Sequence, residues 1–272
     1  MIPSIRGFAS ILAALAVLAS CATSPTGRKQ LMLVSEESAI VASRDAYLTA
    51  VGQLREEGKI ETDQRVNIRV REITGRLISE AIRMRPATAD WEWSVVVIDD
   101  PETVNAWCMA GGRMAVYSGL IKKIDPTDDE LAQVMGHEIS HALANHTAEK
   151  MSVQMASSIG VAAIGIATDS DAVALTGAAL AAAYAVQMPN SRAAETEADR
   201  IGIELAAKAG YDPAAAATLW EKMGKQGGPT PPQWMSTHPD PANRQQRLAQ
   251  LEPEMRRYYD PDAAHPAYSF KN

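Results

Sequence analysis

Phenylalanine and cysteine are nearly missing from this chain, with two of each in 272 residues. Aromatic residues make up only 5%, so Ala, Leu, Ile, Val and Met must supply most of the core. Two cysteines, Cys21 and Cys108, cannot build a disulfide framework, and the fold must stand on burial. Basic residues are in the minority: 26 Lys and Arg against 33 Asp and Glu, a formal charge of −7. There is no basic patch with interleaved aromatics, which argues against nucleic acid as a partner. No apolar run is long enough for a bilayer-spanning helix, and there is no internal repeat. The length suits one sizeable domain with its own core.

Histidine, by contrast, is concentrated. Three of the five fall in "GHEISHALANH", and the first two frame H-E-x-x-H at His137, Glu138 and His141. Residues four apart share a helix face, so both imidazoles can reach one cation. Glu138 is offset around the axis and can aim at a water on that cation. This arrangement binds zinc and provides a general base. The flanking sequence predicts a helix. Thr127 and Glu130 have capping-box spacing, and Asp128, Asp129 and Glu130 load the first turn with negative charge. Leu131, Val134, Met135, Ile139 and Ala142 follow as apolar positions at helical spacing. On a continuous helix His146 sits about 180° from His137. Ala144 and Asn145 offer no glycine at which the chain could turn. His146 therefore reads as a packing or hydrogen-bonded residue away from the ion.

A hydrolytic zinc site has three protein ligands plus water. The next candidate lies in "SRAAETEADRIGIELAAKAG", where Glu195 and Asp199 share a helix face and Glu197 points nearly the opposite way. Ala194, Ala198, Ile201 and Leu205 mark the buried side, and Gly210 ends the helix. Glu195 would ligate, and Asp199 would accept a hydrogen bond from a ligating imidazole. The bland alternative is an acidic face in solvent; the upstream H-E-x-x-H decides against it.

The segments "HEISH" (137–141), "ETEAD" (195–199), "NAWCMAGGRMAVYSGL" (105–120) and "STHPDPANR" (236–244) together resemble the gluzincins of the HtpX/BepA/LoiP type. That group also includes the CaaX prenyl-protein proteases, but the integral-membrane form lacks support here for want of long apolar spans. Trp107 stands where the family has Phe and Ala110 where it has Pro, while the Gly111-Gly112 turn is intact. The resemblance covers roughly residues 60–252. It implies an α+β, mainly helical, zincin-like metalloprotease fold with a small sheet beside the active-site helix, whose edge strand receives substrate. It implies one Zn2+ per chain, bound by His137, His141 and Glu195, with Glu138 as the base for attack of a zinc-bound water on peptide bonds. Pro239 and Pro241 set His238 on a loop. In the family this loop histidine comes close to the zinc, which gives two roles, a latch that silences the site or an oxyanion stabiliser, beside the plain reading of a surface loop histidine. Asp240 and Pro241 suit the start of a short helix through Arg244, Arg247 and Leu251.

Val95 to Ile98 predict a strand, and "TVNAWCMAGGRMAVYSGL" predicts two more around Gly111-Gly112. Cys108, mid-strand between Trp107 and Met109, is expected to be a buried small apolar residue rather than a nucleophile. Residues 63–83 read as an amphipathic helix with Val66, Val70, Ile73, Leu77 and Ala81 on one face. Residues 151–188 form an Ala/Gly-rich run broken at Thr168-Asp169-Ser170-Asp171. They read as two helices, or a helix and a mobile segment, with a lid or a membrane-touching element as the functional alternative.

At the N-terminus, Arg6 precedes an apolar stretch from Ile11 to Ala19, and Leu18-Ala19-Ser20-Cys21 resembles a bacterial lipobox. Residues 1–20 are thus expected to be a lipoprotein signal peptide and Cys21 the lipid attachment site. Ala22 after the cysteine suggests the outer membrane, on the periplasmic side. Residues 21–40 then read as a tether, 41–252 as a single zinc metallopeptidase domain, and 253–272 as an irregular C-terminal tail. The expected partners are polypeptide substrates, the membrane through the lipid anchor, and outer-membrane assembly machinery. Misfolded or damaged envelope proteins are the substrates the resemblance implies. The alternative is a chaperone-like outer-membrane assembly factor with little or no proteolysis. Glu138 favours the enzyme, because a binder needs no base beside a metal.

Overall fold

The computed structural model describes residues 21–168, 191–225, 233, 234, 238 and 244–271. The stretch expected to be a signal peptide, the second half of the Ala/Gly-rich run and the expected helix start at Asp240-Pro241 lie outside these residues. In chain order the elements begin with β1 (Cys21–Thr23), β2 (Lys29–Leu31), α1 (Glu36–Glu56) and α2 (Gln64–Met84). Strands β3 (Ser94–Ile98), β4 (Ala106–Met109) and β5 (Arg113–Tyr117) follow, then α3 (Ser118–Ile124), α4 (Asp128–Leu143) and α5 (His146–Thr168). Helix α6 covers residues 191–208, and α7 (Ala215–Lys225) and α8 (Arg244–Met255) complete the set. The fold is α+β, mainly helical and zincin-like.

The chain divides into two compact units, residues 1–39 with 145–190 and residues 40–144 with 191–272. In the first, β1 and β2 pair as an antiparallel hairpin. Arg28 holds it to α5 with a fork of two bonds, both 2.6 Å, onto the Glu149 carboxylate. Gln30 donates to the same carboxylate at 3.0 Å. The stretch 21–40, read from the sequence as a tether, thus carries this hairpin and the start of α1.

The second unit holds a three-stranded sheet in the order β3-β5-β4. β3 runs parallel to β5, and β4 antiparallel to it. The β4–β5 turn needs its glycines: Gly111 and Gly112 have φ of 85° and 83°. A side chain at Gly112 would also strike Trp93, its Cβ 2.4 Å from the ring. The outer edge of β3 is taken by residues 59–61, with Glu61 N–H donating to the Val97 carbonyl at 2.9 Å. Among the described residues no strand pairs with the outer edge of β4.

Helix α4 starts where the sequence places it. The Thr127 hydroxyl accepts from Glu130 N–H, and the Glu130 carboxylate accepts from Thr127 N–H, closing a capping box. Nearly all of α4 is buried, so it runs through the core rather than along a surface. Its Leu131, Met135 and Ile139 share one core cluster with Leu77, Ile78, Met114 and Leu205, the aliphatic and thioether core that a chain poor in phenylalanine requires. At its far end the structure corrects the sequence reading. The helix stops at Leu143, and Asn145 takes φ of 56°, so the chain turns there without a glycine. Asn tolerates this left-handed conformation better than other side chains do. The tail after Glu252, expected to be irregular, begins as helix and runs without regular structure only from Tyr259 to Lys271. α8 continues through Pro253 to Met255, and the last residues lie along α2, with Tyr268 N–H donating to the Gly75 carbonyl at 2.8 Å.

Helices α4 and α6 cross at two glycines. A Cβ on Gly202 would lie 2.8 Å from the His137 nitrogen, and one on Gly136 would lie 2.9 Å from the Gly202 carbonyl oxygen. Backbone therefore meets backbone at the first histidine of the motif. Gly202→Ala should force the helices apart, costing about 1–3 kcal/mol and loosening metal. Urea unfolding and competition with a chelator check both; a variant unchanged in both would show that the close approach is dispensable.

Candidate metal centre

Helix α4 presents His137, Glu138 and His141, and α6 brings Glu195 and Asp199 to the same place across the glycine crossing. The Nε2 atoms of His137 and His141 lie 3.1 Å apart. Glu195 Oε2 is 3.2 Å from His137 Nε2, and Oε1 is 3.4 Å from His141 Nε2. His238 joins them: its Nδ1 is 3.2 Å from His137 Nε2 and 3.1 Å from Glu195 Oε2. These four side chains offer ligand atoms that all lie within 4.8 Å of one another. An ion bonded tetrahedrally at about 2.1 Å separates its ligand atoms by about 3.4 Å. The donor set, imidazole nitrogen plus carboxylate oxygen at these spacings, fits zinc.

Asp199, one turn beyond Glu195, lies with its Oδ1 3.1 Å from His137 Nδ1. If Nε2 ligates, Nδ1 carries the ring proton and donates a hydrogen bond to Asp199, which sets tautomer and orientation. Arg244 of α8 stands behind this pair. It is buried, with Nε 3.0 Å from Asp199 Oδ1 and Nη1 3.3 Å from Glu195 Oε2. Its guanidinium also stacks over Trp220, 4.5 Å from the ring centroid, and faces Trp234 at 5.4 Å. Glu138 is buried too, and Trp234 Nε1–H donates to its Oε1 at 2.7 Å. His238 Nε2 is 3.3 Å from the same oxygen.

The charges reinforce one another. Burial alone would raise the Glu195 pKa, but hydrogen bonds from His137 and His238 and the histidine charges hold it well below the carboxylate range. Asp199 is likewise held down against burial, chiefly by the Arg244 charge. Burial and Arg244 push His137 down, yet Asp199 and Glu195 outweigh them and lift it to about 9. Cys108 differs: burial, helped by the nearby Glu138 charge, pushes its thiol well above the ordinary value. It stays protonated, as befits a buried apolar residue.

His137, His141, Glu138, Glu195, Asp199 and His238, all singled out in the sequence, thus converge. His146 opens α5 and is not in the cluster. Cys21 has its backbone in β1, but its side chain lies outside the described residues. Glu197 does not face solvent on the other side of α6; it is buried as well. Trp234 and Arg244 went unrecognised. Both sit near His238 in sequence; Arg244 closes the segment 236–244 but was read only as part of a short helix, and Trp234 lies in none of the quoted segments.

The fold is zincin-like, and the donor set fits a zinc ion. The description "Peptidase family M48" matches residues 64–252. Among similar proteins is the bovine (Bos taurus) "Metalloendopeptidase OMA1, mitochondrial", 32% identical over 241 residues, which cover 84% of this chain and 45% of the relative. The Arabidopsis thaliana "Mitochondrial metalloendopeptidase OMA1" is 39% identical over 158 residues, 58% of this chain and 31% of the relative. The "Beta-barrel assembly-enhancing protease" of Escherichia coli is 30% identical over 203 residues, 71% of this chain and 40% of the relative. The chain belongs to peptidase family M48, and it spans less than half the length of these relatives.

Removing Arg244 would leave two buried carboxylates short of a counter-charge. Arg244→Met should therefore destabilise the metal-free protein by about 3–5 kcal/mol, and adding Asp199→Asn should recover part of that loss. Denaturant unfolding of the two variants checks it; equal stability of Arg244→Met and wild type would contradict the role.

Proposed function

We propose that the protein is a zinc endopeptidase in which His137, His141 and Glu195 hold the ion and Glu138 is the general base. The carrying observation is the meeting of two imidazoles and a carboxylate at 3.1–3.4 Å. When bound, zinc supplies a Lewis acid for the scissile carbonyl and makes water more acidic. Glu138 takes the proton of the attacking water and passes it to the leaving amine nitrogen. Both close contacts of this carboxylate fall on Oε1, which leaves Oε2 for the proton. Asp199 keeps the His137 ring in the ligating tautomer. An extended substrate would add to the outer edge of β4 through backbone hydrogen bonds, giving affinity with little sequence selectivity.

Glu138→Gln should retain zinc and lose casein cleavage, whereas Glu195→Ala should lose both. Metal analysis beside a casein digest reads this; cleavage by Glu138→Gln at the wild-type rate would end the mechanism.

His238 takes the fourth corner of the cluster, which supports the latch over the oxyanion role. With Nδ1 beside His137 and Glu195 it fills the position that water and substrate need. His238→Ala should raise the rate of casein cleavage several-fold. A fall in that rate would favour the oxyanion stabiliser instead.

The substrates we propose are misfolded or damaged envelope proteins, met by an enzyme lipid-anchored through Cys21 to the periplasmic side of a bacterial outer membrane. The support is the lipobox-like stretch at Leu18–Cys21 and the name of the Escherichia coli relative, which couples a protease with β-barrel assembly. That name also supports the second reading, an assembly factor acting with the outer-membrane machinery and cleaving little. No helix among the described residues is long and apolar enough to cross a membrane.

A further inference from the structure

We propose that Trp234 is a positioning residue for the reaction: its indole N–H fixes the Glu138 carboxylate for proton transfer. The inference rests on the endopeptidase reading and deepens it.

Trp234 is among the largest fully buried side chains, at 1% exposure. A buried indole must satisfy its one donor, and here the partner is Glu138 Oε1 at 2.7 Å. A hydrogen bond onto a carboxylate is short and stronger than one between neutral groups. Phenylalanine could fill most of the same apolar space, so the donor is what distinguishes tryptophan at this position. The ring itself has little freedom. It packs against Trp220 with centroids 5.4 Å apart, against His137 at 5.5 Å and against His238 at 5.3 Å. The guanidinium of Arg244 closes another side.

The backbone of the same residue is tied in both directions. Its N–H donates to the Val104 carbonyl at 3.0 Å, two residues before β4 begins, and its carbonyl accepts from His238 N–H at 3.0 Å. One residue therefore joins the base, the approach to the open strand edge and the segment carrying the fourth corner of the cluster. His238 Nε2 lies near Oε1 as well, at 3.3 Å. A latch must withdraw for substrate to enter, and its contact with Glu138 goes with it. The indole N–H is then the donor, among the described residues, that keeps the carboxylate in place in the open site. A general base needs that placement held to within about 0.5 Å.

The test uses two replacements in the full chain: Trp234→Phe, and the tryptophan isostere in which sulfur replaces the indole N–H, incorporated at position 234. The isostere keeps shape and packing, so it decides the matter even where Trp234→Phe folds poorly. Steady-state kinetics on a peptide substrate, zinc per chain and melting temperature are read for each, with Glu138→Gln alongside. The expected result is kcat lower by about 10- to 100-fold in both variants. KM should stay within about twofold, and zinc content should be unchanged. A merely structural tryptophan would lower stability or zinc content and leave the isostere's kcat intact. An isostere with wild-type kcat, or one that loses zinc in step with activity, overturns the positioning role alone if Glu138→Gln is inactive. Cleavage that survives Glu138→Gln overturns the endopeptidase reading and this inference with it.

Discussion

Two carboxylates lie in the interior of this protein within reach of the same imidazole, and everything around them follows from that. Glu195 and Asp199 are each about 5% exposed, a placement that costs several kcal/mol per ion unless opposite charge and hydrogen bonds surround it. Arg244 answers part of the need from behind, through Asp199 and Glu195. The imidazoles of His137, His141 and His238 answer the rest from the front, and a divalent cation held among them would complete the balance. The helices can bring these groups together only because α4 and α6 touch backbone to backbone at Gly136 and Gly202.

The site has two layers with different tasks. Ligand atoms at tetrahedral spacing suit it to zinc. Behind them, Asp199, Arg244 and Trp234 fix the orientation of the groups in front. The two aromatic rings under the Arg244 guanidinium, Trp220 and Trp234, make this rear layer apolar on one side and charged on the other. Such a layer holds the charged network in one arrangement.

What could be read from the sequence was local. The H-E-x-x-H spacing, the capping box at Thr127 and Glu130 and the Glu195–Asp199 pair are helix-periodic, so a single helical turn fixes which side chains share a face. The turn at Gly111-Gly112 was equally legible, because a positive φ at consecutive residues points to glycine. Trp234 and Arg244 were not, since their roles arise from where a segment after α7 lands on α4 and α6, and no local period encodes that. The turn at Asn145 escaped for a related reason: an asparagine is compatible with a helix as well as with a left-handed turn, and its neighbours decide. The hairpin at 21–31 depends on Arg28 meeting Glu149, residues 121 positions apart.

The central claim is that one zinc ion sits among His137, His141, Glu195 and His238, with nitrogen and oxygen as its only ligand atoms. X-ray absorption at the zinc edge on the purified, metal-loaded protein tests it directly. The account predicts one zinc per chain, a shell of N and O atoms at about 2.0–2.2 Å, and the outer scattering of imidazole rings. A sulfur neighbour at about 2.3 Å, or a shell without imidazole, would contradict it.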